Sequence, residues 1–221
     1  GAEAMHCGTV TGDHNIAIGC KAGCKLTSGN HNVIMGRDSG PKLTDGGGNT
    51  FIGGGAGKYT DSSSQSVFIG CASGHNSEGN QVVAIGFRAG HGGGTKTGGI
   101  FVGAYAGNET TDATCAIHIG FKAGCAVTSG VRNIIIGDNL AHTLTTGDCN
   151  ILIGSQMDVA SSSTSTTLAI GCGGNRWIAG TSDFMVGIGT TNPSSRLSVA
   201  GDACVSGVIT ATNFAKADGS S

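Results

Sequence analysis

The chain has 221 residues, 42 of them glycine and only 2 proline, with 12% charged side chains and a formal net charge of −2. Glycine far exceeds its usual share of roughly 7%, yet it does not recur at every third position and proline is scarce, which excludes collagen. The 38% of hydrophobic residues, placed at fixed intervals, exclude a disordered linker; the balanced charge supplies no basic field for nucleic acid or anionic lipid, and no apolar run is long enough to span a membrane.

Residues 1–11 precede the first clear period and are read as a connecting segment. The opening Gly1-Ala2-Glu3-Ala4-Met5 has neither the charged nor the apolar region of a secretory signal. The expectation is a piece of a longer product.

From residue 12 to 175 one repeat dominates. An apolar residue followed by glycine recurs at Gly19, Gly36, Gly53, Gly70, Gly86, Gly103, Gly120, Gly137, Gly154 and Gly171. The spacing is 17 residues throughout, except for one interval of 16 between Gly70 and Gly86. Taking each glycine as position 0, position −3 is Ile16, Val33, Thr50, Val67, Val83, Ile100, Ile117, Ile134, Ile151 or Leu168. Position −4 is often asparagine, as at Asn15, Asn32, Asn49, Asn133 and Asn150, and position +4 is a second glycine from Gly23 through Gly124. Polar turns such as Thr27-Ser28-Gly29-Asn30 follow.

Short β-branched runs ending at glycine predict strands, and glycine permits a corner with positive φ or a close backbone approach. A unit of this length suits one coil of a parallel β-solenoid. About ten such coils, stacked at about 4.8 Å each, make a rod of about 48 Å, in which stability comes from stacking rather than from any single coil. The asparagine column is expected to form an amide ladder.

Positions −3 and −1 share one strand face and position −2 lies on the other. Position −2 reads Ala17, Ile34, Phe51, Phe68, Ala84, Phe101, His118, Ile135, Leu152 and Ala169. Strands apolar on both faces are buried on both. One face is the coil interior; the other must meet something else, because a bare apolar stripe is an aggregation hazard. We assign Ala17, Ile34, Phe51, Phe68, Phe101, His118, Ile135 and Leu152 to an interface between chains.

The unit Asn15-Ile16-Ala17-Ile18-Gly19-Cys20-Lys21-Ala22-Gly23 resembles repeats of phage tail fibres, and also the head repeats of trimeric autotransporter adhesins. The resemblance covers residues 12–175. It implies an all-β, left-handed β-roll solenoid assembled as a parallel homotrimer. Residues 176–221 form a separate segment, in which Val186-Gly187-Ile188-Gly189-Thr190-Thr191-Asn192-Pro193, followed by Leu197, Val199 and Gly201, is similar to a segment common in tail fibres. The resemblance implies strands of three chains interwound, with hairpin strands at Ala203–Val205, Gly207–Thr210 and Thr212–Phe214. In those proteins a chaperone domain often follows; here the expectation is that it is cleaved off or not part of this chain.

Candidate chemistry is sparse. Seventeen is not a multiple of six, which argues against the hexapeptide acyltransferases. Asp and Glu are scattered, with no repeated pair for a glycosidase and no calcium-binding nonapeptide. Threonines at the turns form no Thr-x-Thr rows, as an ice-binding face would need. His118, on the face assigned to the interface, is the one candidate axial metal or anion site, although Ala116 stands where a His-x-His pair would need its second member. The nine cysteines, 7, 20, 24, 71, 115, 125, 149, 172 and 204, form no Cys-x-x-Cys pair. They read either as small apolar residues of the solenoid wall or as disulfides between neighbouring coils or chains.

The sequence therefore predicts a non-enzymatic trimeric rod of a phage tail fibre, without cofactor, located on the virion. Its expected partners are itself, other fibre or virion proteins, and a host-surface glycan or protein; nucleic acid and membrane insertion are not expected. The alternative is a secreted bacterial surface filament or adhesin subunit, outside the cell.

Overall fold

The computed structural model describes residues 1–208 and 210. Ten strands stack in parallel: β1 (Ile16–Ile18), β2 (Val33–Met35), β3 (Thr50–Ile52), β4 (Val67–Ile69), β5 (Val83–Ile85), β6 (Ile100–Val102), β7 (Ile117–Ile119), β8 (Ile134–Asp138), β9 (Ile151–Ser155) and β10 (Leu168–Cys172). Each contributes the same three core positions to the sheet, so Ile16 aligns with Val33, Val33 with Thr50, and so on along the rod. About nine turns of a β-solenoid lie between the first strand and the tenth. The short interval is absorbed in the turn, because Val67 still aligns with Val83. No helix forms among the described residues.

Residues 1–11 do more than connect. Met5 and Cys7 donate backbone hydrogen bonds to Ala22 and Cys24, and Lys21 donates to Ala2, so the segment lies as a partial coil on the first full one. At the other end the turn Gly173-Gly174 reverses the chain. Strand β11 (Asn175–Gly180) runs antiparallel to β10, with a bulge that leaves Trp177 unpaired and exposed. Strand β12 (Val186–Ile188) is antiparallel to β11, and β13 (Leu197–Val199) is parallel to β12. Ala203–Val205 and Gly207–Val208 form no strand. Ile209 and Thr212–Phe214, the rest of the expected hairpin, lie outside the described residues.

The corner glycines from Gly19 to Gly154 hold φ between 124° and 142°. A Cβ at Gly103 would sit 2.4 Å from the carbonyl oxygen of Gly120, and one at Gly120 would sit 2.2 Å from that of Gly137. Glycine is thus required twice, by the left-handed backbone and by the corner stacked on it. Gly171, at the last strand, has no positive φ; the chain there enters the antiparallel hairpin instead of another coil.

Two further columns adopt left-handed backbone without glycine. Position +2 includes Lys21, Asp38, Arg88, Tyr105 and Lys122, and position −5 includes His31, Gln65, Gln81, Cys115 and Arg132. Each such residue costs of order 1–3 kcal/mol unless its surroundings enforce the conformation. The enforcement is visible: Arg88, Tyr105 and Lys122 donate their N–H groups to the carbonyls of Cys71, Phe87 and Ala104 one coil back, and Gln81 and Cys115 do the same to Ser64 and Thr97.

The asparagine ladder exists at both ends of the rod. Asn32 Nδ2 donates to Asn15 Oδ1 and Asn49 Nδ2 to Asn32 Oδ1, both at 3.0 Å, and Asn150 repeats this with Asn133. Each amide also donates to a turn carbonyl, as Asn32 does to Gly46 at 2.9 Å. The ladder stops where Ser66, Val82, Gly99 and Ala116 occupy the column.

Three substitutions test this construction. Gly120→Ala should lower stability by about 2–4 kcal/mol in thermal unfolding, through strain and clash together. Gly173→Ala, where no atom lies within 4 Å of the added methyl, should cost about 1 kcal/mol. Asn32→Ala should cost about 1–3 kcal/mol by orphaning the carbonyl of Gly46 and the backbone N–H of Asn49.

Candidate interaction surfaces

Position −2 faces the interior of its own coil. Ile34, Phe51, Phe68, Ala84, Phe101, His118, Ile135, Leu152 and Ala169 are all fully buried within a single chain, and Ala17 is half-buried at the end of the stack. This corrects the assignment of Ala17, Ile34, Phe51, Phe68, Phe101, His118, Ile135 and Leu152 to an interface between chains. Strand alternation separates two faces without saying which one the coil encloses. The left-handed residues at +2 and +4 decide it, by swinging the chain back over the −2 side.

A second inward column, position +7, shows why the interior fills evenly. Coils with a phenylalanine at −2 carry a small residue at +7: Phe51 with Thr60, Phe68 with Ser77, Phe101 with Thr110. Coils with a smaller −2 residue carry a larger one: Ile34 with Leu43, His118 with Val127, Ile135 with Leu144. Volume is thereby kept nearly constant from coil to coil, as close packing demands.

Two coils depart from the pattern: that of Leu152 has the exposed Ser161 at +7 and buries Met157 instead, and that of Ala84 has Gly93 at +7. The gap beside Ala84 takes the side chain of Lys96, which is fully buried and donates to the carbonyls of Gly92 and Gly93. Burial lowers its pKa to about 8, against the opposing pull of Asp112 and Glu78. Aligned coil by coil, the sequence carries the signal: Lys96 stands at position +10, where Gly29, Gly46, Ala113, Gly130 and Gly147 leave no room, and its own coil lacks a +7 side chain.

His118 cannot meet its copies on an axis, because it lies inside its own coil. Its ring packs edge-on against Phe101 at 5.3 Å and neither nitrogen has a hydrogen-bond partner. Burial alone lowers its pKa to about 3, so it is neutral at pH 7. Its coil also marks the divide between the two apolar core clusters.

The other face, positions −3 and −1, points outward along all thirteen strands. Every residue there is Ile, Val, Leu or Met except Thr50 and Gly180. Ile16, Ile18, Ile119, Ile151 and Ile153 are more than a third exposed. The face continues where the solenoid has ended: Ile178, Val186, Ile188, Leu197 and Val199 lie in register on it. Their inward neighbours have meanwhile shrunk to Ala179, Gly187 and Ser198. At this end the segment 181–186 overhangs the face and forms an apolar groove of about 330 Å³ with Ile151 and Leu168, flanked by the exposed Phe184.

The cysteines are not wall residues. Cys20, Cys71, Cys115, Cys149, Cys172 and Cys204 are exposed and Cys125 is half-buried, while Cys7 and Cys24 form a disulfide between adjacent coils. The turn threonines are engaged in the ladder, as Thr111 Oγ1 donates to the carbonyl of Thr128 and Thr128 Oγ1 to that of Thr145, both at 3.1 Å.

His118 gives a pH prediction. Its folded-state pKa lies below the unfolded value of 6.5, so its contribution to stability is present above pH 6.5 and lost as pH falls toward 3. Between pH 7 and pH 5 this one group should remove about 2 kcal/mol. His118→Phe should flatten that part of the curve in urea unfolding; an unchanged pH dependence would place the titration elsewhere.

Comparison of the chain with protein-family models, with curated proteins and with solved structures finds no match.

Proposed function

We propose that this chain is a structural, non-catalytic rod that assembles as a parallel homotrimer of left-handed β-roll solenoids, and that it serves in a phage tail fibre to project or form a host-attachment surface. One observation carries the assembly: the outward aliphatic face runs the whole length of the sheet and outlasts the coil interior. In β12 and β13 the inward positions are Gly187 and Ser198, so little apolar surface is enclosed there, while Ile188, Leu197 and Val199 stay open to solvent. A partner that covers this face must be as long as the rod and must present apolar groups at the same coil spacing. A second and third copy of this chain meet that requirement. The three-fold order and the tail-fibre role rest on the resemblance of the Asn-x-x-Ile-Gly repeat and of the segment around Gly187–Pro193.

In this arrangement the outward columns meet around a common axis. The strands β12 and β13 of three chains would then supply one another with the core that each lacks. A secreted bacterial filament would use the same rod, and electron microscopy of the particle that carries it separates the two by showing what the rod is attached to.

The assembly is tested by light scattering on the purified chain. The expected mass is three times the 21.7 kDa of one chain. Ile136→Lys, on the outward face at mid-rod, should shift the material to smaller or ill-defined species, whereas the surface change Lys25→Ala should leave it unchanged. A monodisperse single chain for the unmodified protein would overturn the reading.

A further inference from the structure

The coil topology sorts the charges, although their sum is near zero. Each coil has two turns, one just after the strand (positions +1 to +6) and one later (+8 to +11). Lys42, Lys58, Arg88 and Lys122 all fall on the first turn. Asp45, Asp61, Glu78, Asp112 and Asp148 all fall on the second. The first turn of the middle coils also carries two acids, fewer than its cations: Asp38 lies 3.4 Å from Arg37, and Glu109 lines a hollow with Lys122 and Tyr105; toward the start of the rod Glu3 lies 3.7 Å from Lys21. One flank of the rod is therefore basic over its middle coils, and the other acidic.

The same basic flank holds the exposed aromatic rings of the solenoid. The three interior phenylalanines are accounted for by the core; Tyr59, Phe87 and Phe121 are not, being 43–48% exposed. Tyr105 links them, 5.2 Å from Phe87 and 6.4 Å from Phe121. Each cation sits near a ring: Lys42 is 4.6 Å from the centre of Tyr59, Lys122 is 5.3 Å from Phe121, and Arg88 is 5.9 Å from Tyr105. Between Arg37 and Lys58, the pair Gly54-Gly55 replaces larger side chains and opens a notch of about 310 Å³ bordered by His75. Burial lowers the pKa of His75 against an opposing hydrogen bond with Asn76, and the nearby cations Lys58 and Arg88 lower it further.

We propose that this cationic and aromatic flank binds an extended acidic polysaccharide, with the rings packing on sugar C–H faces and the cations pairing with its carboxylate or sulfate groups. Three features converge on that chemistry. Apolar rings exposed to water are costly unless something covers them. Cations that recur on one flank, on the coils of Gly36, Gly53, Gly86 and Gly120, match a polyanion whose charges repeat along a chain. The rings of Phe87, Tyr105 and Phe121 stand nearly perpendicular to their neighbours, at 85°, so these three offer separate platforms to separate sugar rings rather than the parallel stack that successive nucleobases use. The inference rests on the host-attachment part of the proposed function, and adds the class of ligand and its place on the lateral flank.

The test is binding of the full chain to polygalacturonate, with dextran as neutral polysaccharide and poly(dT) as polynucleotide. Saturable binding to polygalacturonate is expected, weakening as salt is raised, with dextran at least about tenfold weaker. The combined change Lys42→Ala, Lys58→Ala and Lys122→Ala should weaken binding by about tenfold or more. The arginine versions of the same three positions should retain it. Tyr59→Ser with Phe121→Ser should weaken binding about fivefold without altering the salt dependence. Absent binding, equal binding of dextran, tighter binding of poly(dT), or indifference to the lysine changes would each overturn the proposal. Light scattering on the same samples keeps the two readings apart: a trimer that ignores polygalacturonate sinks only the ligand, and a monomer that binds it sinks only the assembly.

Discussion

The constraint on which this molecule depends is backbone hydrogen bonding between one coil and the next. No coil contains enough regular structure to satisfy its own N–H and C=O groups. Strand, corner and turn each find their partners one coil away, including the residues held in left-handed conformations. The corner glycines follow from this, since a side chain at any of them would strike the carbonyl of the next corner. The asparagine column does the same work with side chains where it is present, and serine or backbone groups replace it elsewhere.

Packing is secondary to that ladder but is tuned to it. A coil of fixed backbone geometry encloses a fixed volume, so the two inward columns must trade size against each other. Phe68 opposite Ser77 and Ile34 beside Leu43 are two solutions to one sum, and Lys96 is a third, in which a long polar side chain fills what Ala84 and Gly93 leave open. Its amine is tolerable there because turn carbonyls accept its hydrogen bonds. His118 has no such partners and stays neutral.

Much of the architecture is legible in the amino-acid sequence itself. The glycine period gave the strands, their parallel stacking and the corners, because a strict period admits few folds. The ladder of Asn15, Asn32 and Asn49 was legible for the same reason. Which strand face turns inward was not, because both are apolar and alternation is symmetric. Phe51, Phe68 and Phe101, which looked like the contact between chains, are core; Ile18, Ile119 and Ile153 are the open residues. The sorting of charge and aromatic rings onto one flank was invisible in composition, since it exists only after residues a coil apart are brought side by side.

The sixteen-residue coil between Gly70 and Gly86 shows how this design tolerates change. A residue lost from a turn is made good before the next strand begins, so the error does not propagate: Val83 aligns with Val67 on one side and Ile100 on the other. Because each coil touches only its neighbours, whole coils can be gained or lost without disturbing those beyond them. Reach then becomes an inheritable quantity that changes in steps of one coil, about 4.8 Å at a time.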